Sequence, residues 1–304
     1  KKPITIAWTT GDRLVGDNIK ILVEGGVQVY KSPVRAVRAM GALMKYSAFR
    51  KEYLLKLQSA DEFSVSDETR KSAMSILDKT RRNMTEHQGK ELLALYGIPV
   101  TREEVATSEE HALKIAKSIG FPLALKIDSE DILHKTEAGG LKLDINNQDQ
   151  LIASYHEVLQ NAKRYKPDAK ITGVLIQQMV VGGTEVIVGV KNDPQFGPTI
   201  MFGLGGIFVE ILKDVSLRVA PIAREDAYGM IREIKGFKVL DGARGRDKMD
   251  IGAIADVLVK VSRLATDHRD HIAELDINPL LVLPEGQGVF VADALVIKKS
   301  RPKN

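Results

Sequence analysis

The chain has no cysteine among its 304 residues. Its absence excludes disulfides, a thiolate-bound zinc and a cysteine nucleophile, and it agrees with a cytoplasmic, reducing location. No apolar run approaches the length of a membrane span, and no secretory leader is visible, so no membrane role is expected. A strong charge of one sign is also missing. The net charge is +4, and the basic residues are scattered apart from clusters at Lys79–Arg82 and Lys298–Lys303. A nucleic-acid partner therefore has little support. What remains is a composition of ordinary globular character, 44% hydrophobic, at a length that suits about two domains.

The chain opens Lys1-Lys2-Pro3-Ile4-Thr5-Ile6-Ala7-Trp8, inside a strand pattern and without an initiating methionine, so we expect a piece of a longer polypeptide. Residues 3–8 read as a strand and 15–25 as a helix stopped by Gly25-Gly26. Val27–Tyr30 read as a second strand, and 33–49 as a helix. Residues 50–82 are rich in charge and nearly free of Gly and Pro, and read as a helical or partly disordered linker. From Thr85 a new domain is expected. Thr85 can cap a helix that ends at Gly97, and Ser108 can cap another that stops at Gly120. Strands are predicted at 123–127, 140–145, 173–180, 185–190, 199–202 and 208–211, and helices at 227–234 and 251–265.

The final hairpin carries the clearest signal. Its arms, 274–282 and 289–297, flank the turn Pro284-Glu285-Gly286-Gln287-Gly288. A period of two puts Glu274, Asp276 and Asn278 on one face, and the turn places Asp293 opposite or diagonal to Asn278. Oxygen ligands converging on a rigid hairpin suit a hard cation such as Mg²⁺. A solvated acidic sheet face would show the same spacing.

Other positions could carry chemistry. Lys126 closes an apolar strand and would serve as a point charge for phosphates, or lie solvated at the strand end. His134 sits in Ile132-Leu133-His134-Lys135-Thr136-Glu137-Ala138-Gly139-Gly140, where a neutral imidazole can accept and release phosphate. The other five histidines, His87, His111, His156, His268 and His271, read as solvated helical residues. Gln177-Gln178-Met179-Val180 ends a buried strand and could equally be packing. The turn Gly203-Leu204-Gly205-Gly206 could cradle an anion with its amides or simply be tight. It lacks the Gly-Lys-Ser/Thr ending of a P-loop.

These strings together resemble the NDP-forming acyl-CoA synthetases, relatives of the succinyl-CoA synthetase β subunit. The resemblance rests on Glu274–Leu280 with Ala292-Asp293-Ala294, on the helix from Glu86 to Gly97-Ile98-Pro99, on His134–Gly140, and on Gly203–Glu210 with Asp214 and Arg218 downstream. Arg244-Gly245 resembles a further family signature, although Asp241-Gly242-Ala243 departs from it. The resemblance implies an α/β (α+β) chain with a two-lobed ATP-grasp fold. The small lobe would span 83–176 and the large lobe 177–304. Before them come the tail of a flavodoxin-like ligase domain at 1–46 and a linker at 47–82.

The resemblance also implies the site. Asn278 and Asp293 would hold Mg²⁺, with Asp276 in place of the more frequent Glu. Lys126, Gly139, Gly140, Gly205 and Gly206 would meet the phosphates of ATP or ADP. The backbone of Gln177, Gln178, Met179 and Val180 would read adenine, and Glu185 the ribose. His134 would accept phosphate from a partner-domain phosphohistidine and pass it to ADP, moving on the flexible pair Gly139-Gly140. Phosphate is then a substrate. A CoA-binding domain and a first-histidine domain would be partners, either upstream in the same chain or as an α subunit, and a homodimer is compatible. The rival reading is a regulatory ATP-grasp module of a protein acetyltransferase fusion; an intact His134 argues against it.

Overall fold

The computed structural model describes residues 2–10, 17–59, 64–80, 83–132, 134–206, 214–245 and 247–299. They fall into two units, residues 1–62 and 63–304. In the first unit, β1 (Thr5–Ala7) pairs in parallel with β2 (Gln28–Tyr30), joined through α1 (Asn18–Glu24). Gly25 and Gly26 end α1 as expected, the second at φ 78°. The predicted start of this helix at residue 15 lies outside the described residues. The helix α2 (Pro33–Ser59) runs ten residues beyond the expected end at Phe49, because no Gly or Pro interrupts 50–59.

The second unit begins with α3 (Asp67–Lys79), capped by Ser66, whose hydroxyl accepts from the Thr69 amide. This stretch was expected to be linker. Its few apolar residues nevertheless share one face, and Ala73 and Leu77 are fully buried in the larger core of the unit. The next helix, α4 (Glu86–Leu95), has the expected Thr85 cap, closed as a capping box with Gln88. Leu92 and Leu93 turn α4 toward that same core.

A four-stranded antiparallel sheet follows, in the order β3 (Glu103–Ala106), β6 (Ile171–Gln178), β4 (Leu123–Ser129), β5 (Leu141–Ile145). Helices α5 (Glu109–Ile119) and α6 (Gln148–Tyr165) supply its apolar partners, Ala112, Ile115, Leu151 and Val158 among them. Strand β4 is buried along its whole length, and alternation divides its side chains. Leu123, Leu125 and Ile127 join the helical core, while Lys126 and Asp128 lie on the other face.

The larger sheet runs β11 (Val289–Val291), β10 (Ile272–Val282), β7 (Thr184–Asp193), β8 (Gly197–Leu204), β9 (Val215–Val219), with β12 (Ala294–Lys298) also paired to β10. Helices α7 (Arg224–Glu233) and α9 (Ile251–Asp267) pack on it, with the short α8 (Phe237–Leu240) and a 3₁₀ turn at Ala243–Gly245 between them. The result is a mixed α/β fold of two lobes, each a sheet with helices on it. The strand predicted at 208–211 and the side chain of Arg244 lie outside the described residues. Asp214 and Arg218 serve the scaffold. The Asp214 carboxylate accepts from the amides of Lys235 and Gly236, and Arg218 pairs with Glu233. Among the described residues no helix is long and apolar enough to cross a membrane.

Candidate active site

The hairpin register agrees with the sequence reading. Ile277 pairs with Ala294, and the Asn278 amide donates to the Asp293 carbonyl at 3.2 Å. Strands β11 and β12 both lie along β10, and the break between them falls at Ala292-Asp293. The Asp293 side chain is thereby freed from the ladder beside Asn278. Asp276 is half-buried against Gly189 of β7. Burial, and then the charge of Asp293, push the Asp276 carboxyl above its usual range. Glu274, by contrast, meets Lys191 at the exposed sheet surface at 3.7 Å and lies apart from this group. Among the described residues no cluster of three or more His, Cys, Asp or Glu has the geometry to hold a metal. An ion here would need ligands besides the Asp276 and Asp293 carboxylates, such as the Asn278 amide or groups of a bound substrate.

Lys126 is not a solvated strand end. It sits mid-strand with its ammonium buried, donating to Glu86 Oε1 and to the Ala292 carbonyl, both at 2.7 Å, with Asp293 at 3.6 Å. Glu86, at the first turn of α4, is the hub. Lys90 reaches its Oε1 at 2.7 Å and Lys135 its Oε2 at 2.8 Å. Burial opposes ionisation of Glu86, yet the three lysines outweigh it and hold the carboxyl well below its usual range. Burial likewise disfavours charge on Lys135, but Glu86 and Asp293 more than reverse this and raise its pKa. Lys90 also donates to Glu103 at 2.6 Å and to Gln177 at 3.3 Å.

His134 is exposed, at the start of a turn over 135–139 whose next residue, Lys135, is anchored in this network. The glycine pair behind it is also required by packing and backbone conformation. Gly139 needs its φ of 60°, and a Cβ on Gly140 would stand 2.6 Å from Ile127 Cγ2. Gly140 permits close approach to β4, and Gly139 close approach to Asn161 of α6. Nor are their amides available to phosphate in this structure. Gly139 donates to the Thr136 carbonyl, Gly140 to that of Lys135, and Gly205 to that of Glu185. Gly206, exposed at φ 63°, is the member of the expected set that stands outward.

Gln177 is buried and bridges the lobes, its Nε2 donating to the Ala292 carbonyl at 3.1 Å. The Gln178 amide donates to the Arg102 carbonyl and the Met179 amide to that of Pro122. Val180 is half-buried, and Glu185 is exposed on β7 directly beside Gly205. The structure therefore gathers Lys126, Gln177, Asp293, Asn278 and Asp276 with the His134 turn, and leaves Glu185 with Gly205 and Gly206 at the ends of β7 and β8. Sequence reasoning missed Glu86, Lys90 and Lys135 as members of the site. The one signal was the Glu86–Lys90 spacing of four, which on a helix normally marks a surface pair. His268 is a further correction. Read as solvated, it is buried against Tyr96, whose hydroxyl lies 3.0 Å from its Nε2.

A family model described as an ATP-grasp domain matches residues 75–297. The β subunit of ADP-forming acetate–CoA ligase I from Pyrococcus furiosus is 52% identical over 228 residues, 74% of this chain and 97% of that protein. The ADP-forming acetate–CoA ligase I of Archaeoglobus fulgidus is 43% identical over 282 residues, 92% of this chain but 40% of that longer protein. Among solved structures, the dinucleotide-forming acetyl-coenzyme A synthetase 1 of Ca. Korarchaeum cryptofilum, with coenzyme A and Ca-AMPCP, aligns at TM-score 0.72 and 42% identity, over 76% of this chain and all of that one. A second structure of that protein, with coenzyme A and Mg-AMPPCP, has its phosphohistidine segment pointing towards the nucleotide binding site; it aligns at TM-score 0.65 and 38% identity over the same shares. The regulatory alternative finds no support in these relatives, which are named as ligases and a synthetase. By its match to the family model and its likeness to these relatives, the chain belongs to the ATP-grasp family, as the ATP-grasp part of an ADP-forming acyl-CoA synthetase.

Proposed function

We propose that the chain binds a Mg²⁺–adenine nucleotide where the β10–β12 hairpin meets β4 and the His134 turn, and relays phosphate between that nucleotide and an acyl-CoA half-reaction. The observation that carries this reading is the convergence on Asp293. Its carboxylate meets two lysines and bears on the charge of Asp276, its backbone carbonyl accepts from the Asn278 amide, and the second lysine follows His134 in the chain. The overall reaction would be acyl-CoA + ADP + phosphate ⇌ carboxylate + CoA + ATP, in keeping with relatives named ADP-forming acetate–CoA ligases.

Asp293, Asp276 and the Asn278 amide would hold the cation. The donors are all oxygen, as a hard divalent ion requires, and burial and then the charge of Asp293 hold the Asp276 carboxyl above its usual range. Bound Mg²⁺ supplies neutralisation of the phosphate charge. Lys126 is placed to exchange Asp293 for a phosphate oxygen. Gln177, Gln178, Met179 and Val180 line the end of β6 where adenine is read, the carbonyls carrying the readout because the Gln178 and Met179 amides are engaged. Glu185 takes the ribose, and Gly206 borders the phosphates. A neutral ring nitrogen of His134 attacks the phosphorus of the partner's phosphohistidine, forming one P–N bond as the other breaks. The terminal phosphate oxygen of ADP then attacks, forming ATP and releasing the imidazole.

The CoA-binding and first-histidine domains lie outside this chain, in keeping with its spanning two-fifths of the fused Archaeoglobus ligase. The absence of cysteine suits the cytoplasm, where we place the reaction. The test is His134→Ala in the complete enzyme. It should form the partner phosphohistidine from acyl-CoA and phosphate yet make no ATP, and ATP synthesis at the wild-type rate would overturn the assignment.

A further inference from the structure

Three lysines from three elements meet one carboxylate that has no exposed surface. Lys90 comes from α4, Lys126 from β4 and Lys135 from the turn that carries His134, and Glu86 receives all three within 2.8 Å. Lys90 has a second carboxylate of its own, Glu103, at 2.6 Å. Among the described residues Lys126 and Lys135 share two, Glu86 and Asp293. Asp293 is the looser partner, at 3.6 and 3.4 Å, and it is the residue assigned above to the metal. When Asp293 turns to a cation, Glu86 alone keeps the two ammonium groups together against their mutual repulsion.

Stability does not account for such a cluster. Burying four charges costs desolvation that an apolar set of the same volume would not incur, and such replacements are often neutral or stabilising. An acidic residue in the first turn of a helix needs one favourable contact with the helix dipole, and no lysines.

We propose that Glu86 is a positioning residue: its buried carboxylate gathers Lys126 and Lys135 into one cationic pair beside Asp293, preset to receive the nucleotide phosphates. This rests on the nucleotide-binding reading above. Glu86 itself stays behind the lysines and touches no substrate. Its charge and its reach both matter, since one oxygen serves Lys126 and the other Lys135.

The test is calorimetric titration of Mg·ADP into the full chain, with thermal melts to confirm folding. Glu86→Gln should weaken binding at least tenfold. Glu86→Asp, which keeps the charge but shortens the reach, should fall between Gln and wild type, and it decides the matter if the Gln variant does not fold. In a Lys126→Met/Lys135→Met background, Glu86→Gln should change affinity less than twofold, because the groups it positions are gone. Wild-type affinity in Glu86→Gln, or losses that multiply with those of the lysine pair, would overturn the proposal while leaving the nucleotide site standing. A wild-type chain that binds no Mg·ADP would overturn both.

Discussion

Lys135 Nζ stands 3.4 Å from each carboxylate oxygen of Asp293, so the residue next to His134 is fastened to the residue whose backbone carbonyl accepts from the Asn278 amide across the hairpin. An ammonium shared evenly by two oxygens fills a place a metal ion could take. A cation bound at Asp293 would therefore compete with Lys135 and bear on the placing of the His134 turn.

The first prediction concerns that carboxylate. Asn278→Ala and Asp293→Ala should each weaken the Mg²⁺-dependent part of nucleotide binding at least tenfold while the fold persists. Calorimetry of ADP with and without Mg²⁺ checks it, and unchanged Mg·ADP affinity in both variants would remove the metal assignment.

Buried His268 gives a pH dependence with a definite sign. Burial lowers its pKa below 6.5, so as pH falls through about 6.5 the unfolded chain takes up a proton that the folded chain resists. Its contribution is therefore present above that pH and lost below it. His87 has the opposite sign. Its bond to Glu103 raises its pKa, and the stability it adds is present below about 6.5 and fades as pH rises through the folded value. Thermal melts at pH 5.5 and 7.5 should show a smaller acid loss in His268→Gln than in wild type. A larger acid loss is expected in His87→Gln.

Gly140→Ala would set a methyl 2.6 Å from Ile127 Cγ2. Overpacking of this kind costs about 1–3 kcal/mol, measurable by urea unfolding. Because the clash is with one side chain, Gly140→Ala/Ile127→Ala should lose less than the sum of the two single variants.

Leu77→Ala tests whether α3 belongs to the folded second unit. A fully buried leucine cut to alanine costs about 2–5 kcal/mol. A variant that melts with the wild type would return residues 67–79 to the status of a linker.

Much of the fold was legible because its cues are local. The Thr85 and Ser108 caps and the stops at Gly97 and Gly120 depend on neighbours within a few residues, and the register that sets Asp293 against Asn278 on a single short hairpin. The packing of α3 into the core was missed, since 50–82 read as a helical or partly disordered linker and only tertiary packing shows that its four-residue apolar face is buried. The site was half legible. Lys126 was found by position, but its state was misjudged, since nothing in the string Ala124–Ile127 reveals a carboxylate forty residues earlier. Glu86 and Lys90 were hidden for the same reason: a pair four apart on a helix reads as surface until the sheet that covers it is in place.

The Ala292 carbonyl accepts two hydrogens from the smaller sheet, one from Lys126 at 2.7 Å and one from the Gln177 amide at 3.1 Å. Two adjacent strands of one lobe thus hang on a single oxygen of the other. Pulling the lobes apart there would strand buried donors, at about 1–3 kcal/mol apiece. That oxygen is consequently a tie between the lobes. Were the two sheets to part, the loss of both bonds would fall at Ala292, so the separation of Lys126 from the hairpin is the one such a parting would change last.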